Sequence, residues 1–196
     1  THEYNGILFA YLGPPAQQPP FPLYDSFTRP GYRLMPGRQY QYPCNWLQIL
    51  ENAMDPVHTA FLHTIVTGAQ FTEEFGKVPE LDFTESPIGM LYIATRRVGA
   101  HIWARMVETV LPNLQQVAPA WEDGHQIHPF NGPMMSRWIV PQDDTHTMFI
   151  EFRHVSETAG VTPSWWADRD VMLPGQLPES DSYEASQRRP GDYEAQ

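Results

Sequence analysis

Beyond Gly68 the chain alternates between β-branched, aromatic or Met side chains and polar ones, in runs separated by Gly, Pro, Asp or Asn. The runs cover residues 77–84, 90–98, 101–109, 134–140 and 146–154, and this period of two predicts strands. Val140-Pro141-Gln142-Asp143-Asp144-Thr145 reads as the hairpin connection between the last two. Upstream, residues 4–12 read as one strand, ended by Gly13-Pro14-Pro15, and residues 38–42 alternate polar and aromatic. The period changes at residues 45–52, where Trp46, Ile49 and Leu50 share one side of a helix. Pro56 lacks a backbone N–H and should disturb that helix beside Asp55. From Gly160 the chain turns polar and irregular, with Pro163, Pro174, Pro178 and Pro190, and Pro190-Gly191-Asp192 is expected to open a last helix. The pattern predicts an α+β fold, an antiparallel sheet covered by helices.

Length and composition narrow the picture. A chain of 196 residues suits one domain with a sizeable core. No apolar run approaches the roughly 20 residues of a membrane span, and there is no signal-peptide pattern. The chain opens at Thr1 directly onto a strand-like run, as a piece of a longer polypeptide would. Its net charge of −11 disfavours nucleic acid or an anionic membrane as partner and suits a cytoplasmic protein. Cys44 is the single cysteine, which excludes an internal disulfide and an iron–sulfur cluster held by this chain alone. Seven of the 20 prolines fall in residues 14–36, which read as an extended linker.

The chemistry concentrates around two histidines. His58 and His63 lie five residues apart, and Asp55 lies three before the first, among Leu47, Ile49, Leu50, Phe61 and Leu62. Imidazoles beside a carboxylate in apolar surroundings are costly unless paired or metal-bound. The spacing alone also fits two satisfied core histidines. On an ideal helix residues five apart point about 140° away from each other. A shared metal therefore requires the helix to be irregular between them.

Asn45-Trp46, Glu51-Asn52, Asp55-Pro56-Val57-His58 and His63 together resemble the iron-binding segment of Rieske non-haem iron oxygenase large subunits. The stretch Glu3–Pro15 looks like the strand by which such subunits leave their Rieske domain. The resemblance covers residues 1 to about 65 well and the rest in outline. It implies a helix-grip catalytic domain (Bet v1/START-like), with a curved sheet closing around a ligand cavity under the iron helix. It implies a return strand at 1–13 from a missing Rieske domain, a Pro-rich linker at 14–36, and an iron domain at 37–196 truncated at its C-terminus. His58 and His63 map onto two ligands of mononuclear Fe(II), and Asp192 onto the third, with Asp168, Asp170 and Asp181 as alternatives. Asn52 maps close to the iron. Asp55 maps onto the carboxylate that links a histidine ligand to the 2Fe-2S cluster of the next subunit in a head-to-tail homotrimer. The reaction implied is hydroxylation, dihydroxylation or O-demethylation of an aromatic substrate by O2, with electrons from a reductase or ferredoxin. The wording looks most like the phthalate and phenoxybenzoate dioxygenase branch, which acts on aromatic acids. Arg96, Arg97, Arg105 and Arg137 are unranked candidates for a substrate carboxylate.

Other readings stay open at this stage. A helix-grip cavity also serves non-catalytic binding of an apolar small molecule, with His58 and His63 as core residues. A zinc hydrolase would want a His-Glu-x-x-His segment, which the chain lacks. His101 could line a pocket or sit on the sheet surface, and His125 with His128 could make a surface zinc site. Met90, Tyr92, Met106, Met134, Met135, Trp138 and Phe149 read as core.

Overall fold

The computed structural model describes residues 1–66, 68–125, 127–128, 132–172, 182–186, 188 and 191–195, without the side chains of residues 183 and 186. The run expected as one strand near the N-terminus is a hairpin, β1 (His2–Tyr4) and β2 (Ile7–Phe9). Asn5 (φ 45°) and Gly6 (φ 84°) form its turn. Both need left-handed backbone, which Asn-Gly supplies at little strain. The proline-rich stretch is not extended throughout. It contains 3₁₀ turns at Pro15–Gln17 and Asp25–Thr28 and ends in β3 (Tyr32–Pro36).

Eight strands build the main sheet: β3, β4 (Tyr40–Tyr42), β5 (Glu80–Ser86), β6 (Gly89–Val98), β7 (His101–Val110), β8 (Leu114–Val117), β9 (Met135–Pro141) and β10 (Thr147–Ser156). All pairings are antiparallel, in the order β3-β10-β9-β8-β7-β6-β5, with β4 also on β10. Pro36 closes β3 at the sheet edge, where a missing N–H is tolerated. The strands expected at 77–84, 90–98, 101–109, 134–140 and 146–154 are β5, β6, β7, β9 and β10, with ends shifted by up to three residues. The β9–β10 hairpin falls where expected.

Two strands escaped the pattern. β3 hides among prolines, and β8 reads Leu-Gln-Gln-Val, with no alternation to mark it. Gln115 is nonetheless fully buried, its Nε2 donating to Leu50 O and its Oε1 accepting from Arg137 Nη2. β8 is short. Its pairing with β7 ends at Val107↔Val117, and Pro119 two residues on cannot donate to a ladder. Arg105 on β7 reaches across instead. Its Nε donates to Pro119 O and its Nη2 to Ala118 O.

One sheet face carries Tyr92 and Ala94 of β6, Val107 of β7 and Val117 of β8, packed with Met134 and Trp166. A second cluster joins Tyr42, Ile139 and Phe149 to Ile49 and Leu50 of α1 (Trp46–Ala53). α1 starts where Asn45 caps it, the side chain accepting from Leu47 N at 2.9 Å. Two Met assignments to the core fail: Met90 and Met106 are exposed, at the end of β6 and on the outer face of β7. The α+β expectation of an antiparallel sheet with helices over a cavity holds. Where the last helix was expected to open, residues 192–195 make a single turn, closed by Ala195 N to Gly191 O at 3.1 Å.

Candidate metal centre

α1 ends at Met54, and Asp55-Pro56 breaks the chain direction. Asp55 Oδ1 accepts from Val57 N at 2.8 Å, turning the backbone into α2 (His58–Ala60). Phe61–Val66 then continues as a π-helix. That wider helix, with bonds from i to i+5, brings residues five apart onto one side, and such turns recur at functional sites. The irregularity demanded by the His58–His63 spacing is thus present, and it begins three residues after His58. The imidazole rings stand 5.4 Å apart at 64°.

Asp192 arrives from the other end of the chain. Its neighbour Tyr193 packs edge-on against Tyr42 of β4, with centroids 5.5 Å apart, which anchors the turn under the π-helix. Asp192 Oδ1 lies 3.6 Å from His58 Nε2 and 3.2 Å from His63 Nε2. One donor atom from each of the three residues falls within 4.8 Å of the others, the one such group of metal-ligating side chains among the described residues.

The surroundings of each ring leave Nε2 facing the centre. His63 Nδ1 sits 2.8 Å from Gln70 Oε1, which accepts the Nδ1 proton and leaves the Nε2 lone pair for a metal. His58 Nδ1 faces Asp55 Oδ2 at 3.8 Å. Burial pushes His58 below the ordinary imidazole range, against the pull of Asp192 and Asp55. Burial also works against His63, but the hydrogen bond and charge of Asp192, with Gln70, hold it above that range. Two imidazoles and a carboxylate on one side of a point suit divalent iron with open positions. The donor set fits the metal that the resemblance implies.

A cavity of about 100 Å³ adjoins the three residues. Asn52, Thr59, Phe71, Phe75, Tyr92, Val117, Met134, Met135, Arg105 and Arg137 line it. Asn52 thus lines the cavity with the three residues, and Asp55 stands outside it with a half-exposed carboxylate. Asp168 and Asp170 are exposed and tied to each other through Asp170 N and Asp168 Oδ1, away from the triad. Asp181 lies outside the described residues. His101 is exposed and lines a separate groove with His128, which is paired to Glu122. His125 is exposed, and no zinc group forms there among the described residues. Sequence reasoning missed Gln70, Phe71 and Phe75. They sit in a loop and a 3₁₀ turn (Glu73–Gly76), where no periodicity marks inward residues.

Residues 10–169 match the family described as LigXa C-terminal domain like, and the chain belongs to it. Among curated relatives it is 38% identical to the tert-butanol monooxygenase / tert-amyl alcohol desaturase oxygenase subunit of Aquincola tertiaricarbonis, over 98% of this chain and 44% of that protein. It is 29% identical to the phenoxybenzoate dioxygenase subunit alpha of Ectopseudomonas oleovorans, over 100% and 48% respectively. The chain thus spans less than half the length of these relatives. Dicamba monooxygenase bound to 3,6-dichlorosalicylic acid shares the fold, with TM-score 0.54 and 17% identity over 82% of this chain and 53% of that one. The fold is that of the catalytic domain of Rieske non-haem iron oxygenases, and the named relatives are oxygenase subunits.

Proposed function

We propose that this chain is the iron-bearing catalytic domain of an oxygenase that uses O2 to hydroxylate, dihydroxylate or O-demethylate an aromatic substrate. The observation that carries the reading is the convergence of His58, His63 and Asp192, the last two 129 positions apart, on one point beside a cavity. Ferrous iron held by those three side chains would supply O2 activation, with coordination positions left open for O2 and solvent. The chain's own residues do the rest. Gln70 fixes the tautomer of His63. Asn52 offers an amide to whatever binds beside the centre. Phe71, Phe75, Val117 and Met134 exclude water and present apolar surface to a ring.

Electrons must come from outside, since Cys44 alone cannot hold a 2Fe-2S cluster. We assign that cluster to a Rieske domain joined through residues 1–13 and the part of the 14–36 stretch that precedes β3, fed by a reductase or ferredoxin in the cytoplasm. Asp55, half-exposed beside His58, suits the bridge to a neighbouring subunit in a head-to-tail homotrimer. No helix among the described residues is long and apolar enough to cross a membrane, and the charge of −11 does not suit nucleic acid.

Elemental analysis tests the centre. About one iron per chain is expected, lost in His58→Ala and in His63→Ala with the circular dichroism spectrum retained. Unchanged iron in both variants, or stoichiometric zinc in the parent, overturns the assignment.

A further inference from the structure

Three guanidiniums stand near the triad without an ion pair. Arg105 of β7 and Arg137 of β9 line the cavity beside His58, His63 and Asp192. Arg96 of β6 shares the Phe75 ring with Arg105, each guanidinium carbon 5.2 Å from its centroid, and that ring packs on His63 at 6.4 Å. Arg96 and Arg105 are 3% and 5% exposed. Buried guanidiniums ordinarily sit on a carboxylate. Arg153, equally buried, does so: it meets Glu151 at 3.1 Å. Among the described residues no carboxylate lies within 4.0 Å of Arg96, Arg105 or Arg137.

Their hydrogen-bond partners are uncharged. Arg105 donates from Nε to Pro119 O, from Nη2 to Ala118 O and from Nη1 to Tyr92 Oη. Arg96 donates from Nε to Lys77 O and from Nη2 to Thr59 Oγ1, the residue after His58, and its Nη1 is buried without a partner. Arg137 donates from Nη2 to Gln115 Oε1, bonds the Tyr40 side chain and keeps Nε buried without a partner. Glu151 faces Arg137 across β9 and β10, but its carboxylate is on Arg153. Carbonyls and hydroxyls hold a guanidinium in place and leave its net charge standing. That charge is felt at the triad: burial and Arg105 both disfavour a protonated His63, against Asp192 and Gln70.

With both imidazoles neutral, His58, His63 and Asp192 leave a ferrous ion with one net positive charge and a ferric ion with two. In a buried site, neighbouring cations oppose that added charge more strongly than they would in water, and the shell around a metal sets its potential. We propose that Arg105, with Arg137 and Arg96 as weaker contributors, poises iron on the triad in its ferrous state by making the ferric state costly. The couple is a one-electron step, ferric to ferrous, with the three ligands unchanged, and the reductase or ferredoxin supplies the electron. Arg105 leads because Glu151 lies near Arg137 and because Arg96 stands outside the cavity lining. It is a positioning residue that acts through its charge. The inference rests on the oxygenase reading, since it needs iron on the triad.

A mediated redox titration of the iron-loaded chain, followed by the ferric electron paramagnetic resonance signal, tests this. Arg105→Gln should lower the midpoint potential by at least about 59 mV, a tenfold shift of a one-electron equilibrium, with iron content retained. Arg105→Lys keeps the charge and should stay closer to the parent than to Arg105→Gln. Arg137→Gln should shift the potential in the same direction, and it carries the test if Arg105→Gln fails to fold. Arg97 is exposed on β6, so Arg97→Gln should leave the potential unchanged. Parent potentials in iron-bearing Arg105→Gln and Arg137→Gln overturn the inference. So does an equal fall in Arg105→Lys, which would assign the effect to shape, or in Arg97→Gln, which would assign it to net charge. A parent that binds no iron overturns the oxygenase reading and this inference with it, so iron content tells the two failures apart.

Discussion

His154 on β10 is buried, with Nε2 2.9 Å from Ser136 Oγ, and lies outside the metal site. Burial, with the charge of Arg29 beside it, pushes its pKa down from 6.5 to about 4. The folded chain therefore holds it neutral where the unfolded chain takes up a proton. Stability present above pH 6.5 is lost as the pH falls from 6.5 toward 4, by about 1.5 kcal/mol between pH 6.5 and 5 from this group. Urea denaturation at those two pH values checks it, and His154→Gln should flatten that part of the profile. An identical slope in the variant would assign the loss elsewhere. Gln70 makes a second case. Gln70→Leu keeps much of the volume but removes the acceptor that orients His63. Iron affinity, read by chelator competition, should fall about 10- to 100-fold with the fold intact. Unchanged affinity would show that packing alone holds the ring.

Among elements, α1 depends on its cap. Asn45 accepts from Leu47 N and donates to Asp144 O, tying the helix start to the β9–β10 hairpin. Asn45→Ala should lower unfolding free energy by about 1 kcal/mol and leave iron content unchanged. Loss of iron would mean that the cap also sets the position of the π-turn. This helix was legible because its apolar side repeats at helical spacing, and the long strands because they alternate. The need for an irregular helix between His58 and His63 was legible from spacing, but its π form was not, since hydrogen-bond register leaves no mark in composition. β1–β2 was misread as one strand, although Asn5-Gly6 is a hairpin signal. β8 was invisible because Leu114 and Gln115 are buried side by side, which breaks the alternation, and Gln115 is a polar side chain satisfied by Leu50 and Arg137, each more than 20 residues away. The cavity walls were illegible for the same reason: Phe71 and Phe75 turn inward through packing on His63 and on each other.

For the whole molecule, the proposed oxygenase reaction calls for electrons that one cysteine cannot relay through a cluster. Cys44 is its single cysteine, so iron-loaded chain on its own should complete no multiple turnovers with O2 and a reductase. The route in should pass Asp55. Its Oδ1 is engaged by Val57 N, which fixes the side chain, while Oδ2 faces His58 Nδ1 at 3.8 Å and half of the carboxylate stays open to a neighbour. A group that is both fixed and exposed suits a contact between subunits better than it suits a metal ligand, and Asp192, not Asp55, is the carboxylate grouped within 4.8 Å of the two histidines. Asp55→Asn keeps the size and the turn and removes the charge. In protein carrying its Rieske domain, both metal centres should remain bound and the cluster should still be reduced. Product formation should fall by about 10- to 100-fold, as expected for loss of an orienting partner. Near-normal turnover would remove the bridge role. Loss of the mononuclear iron with the cluster intact would instead make Asp55 a holder of His58, and the electron route would have to be sought elsewhere on the surface.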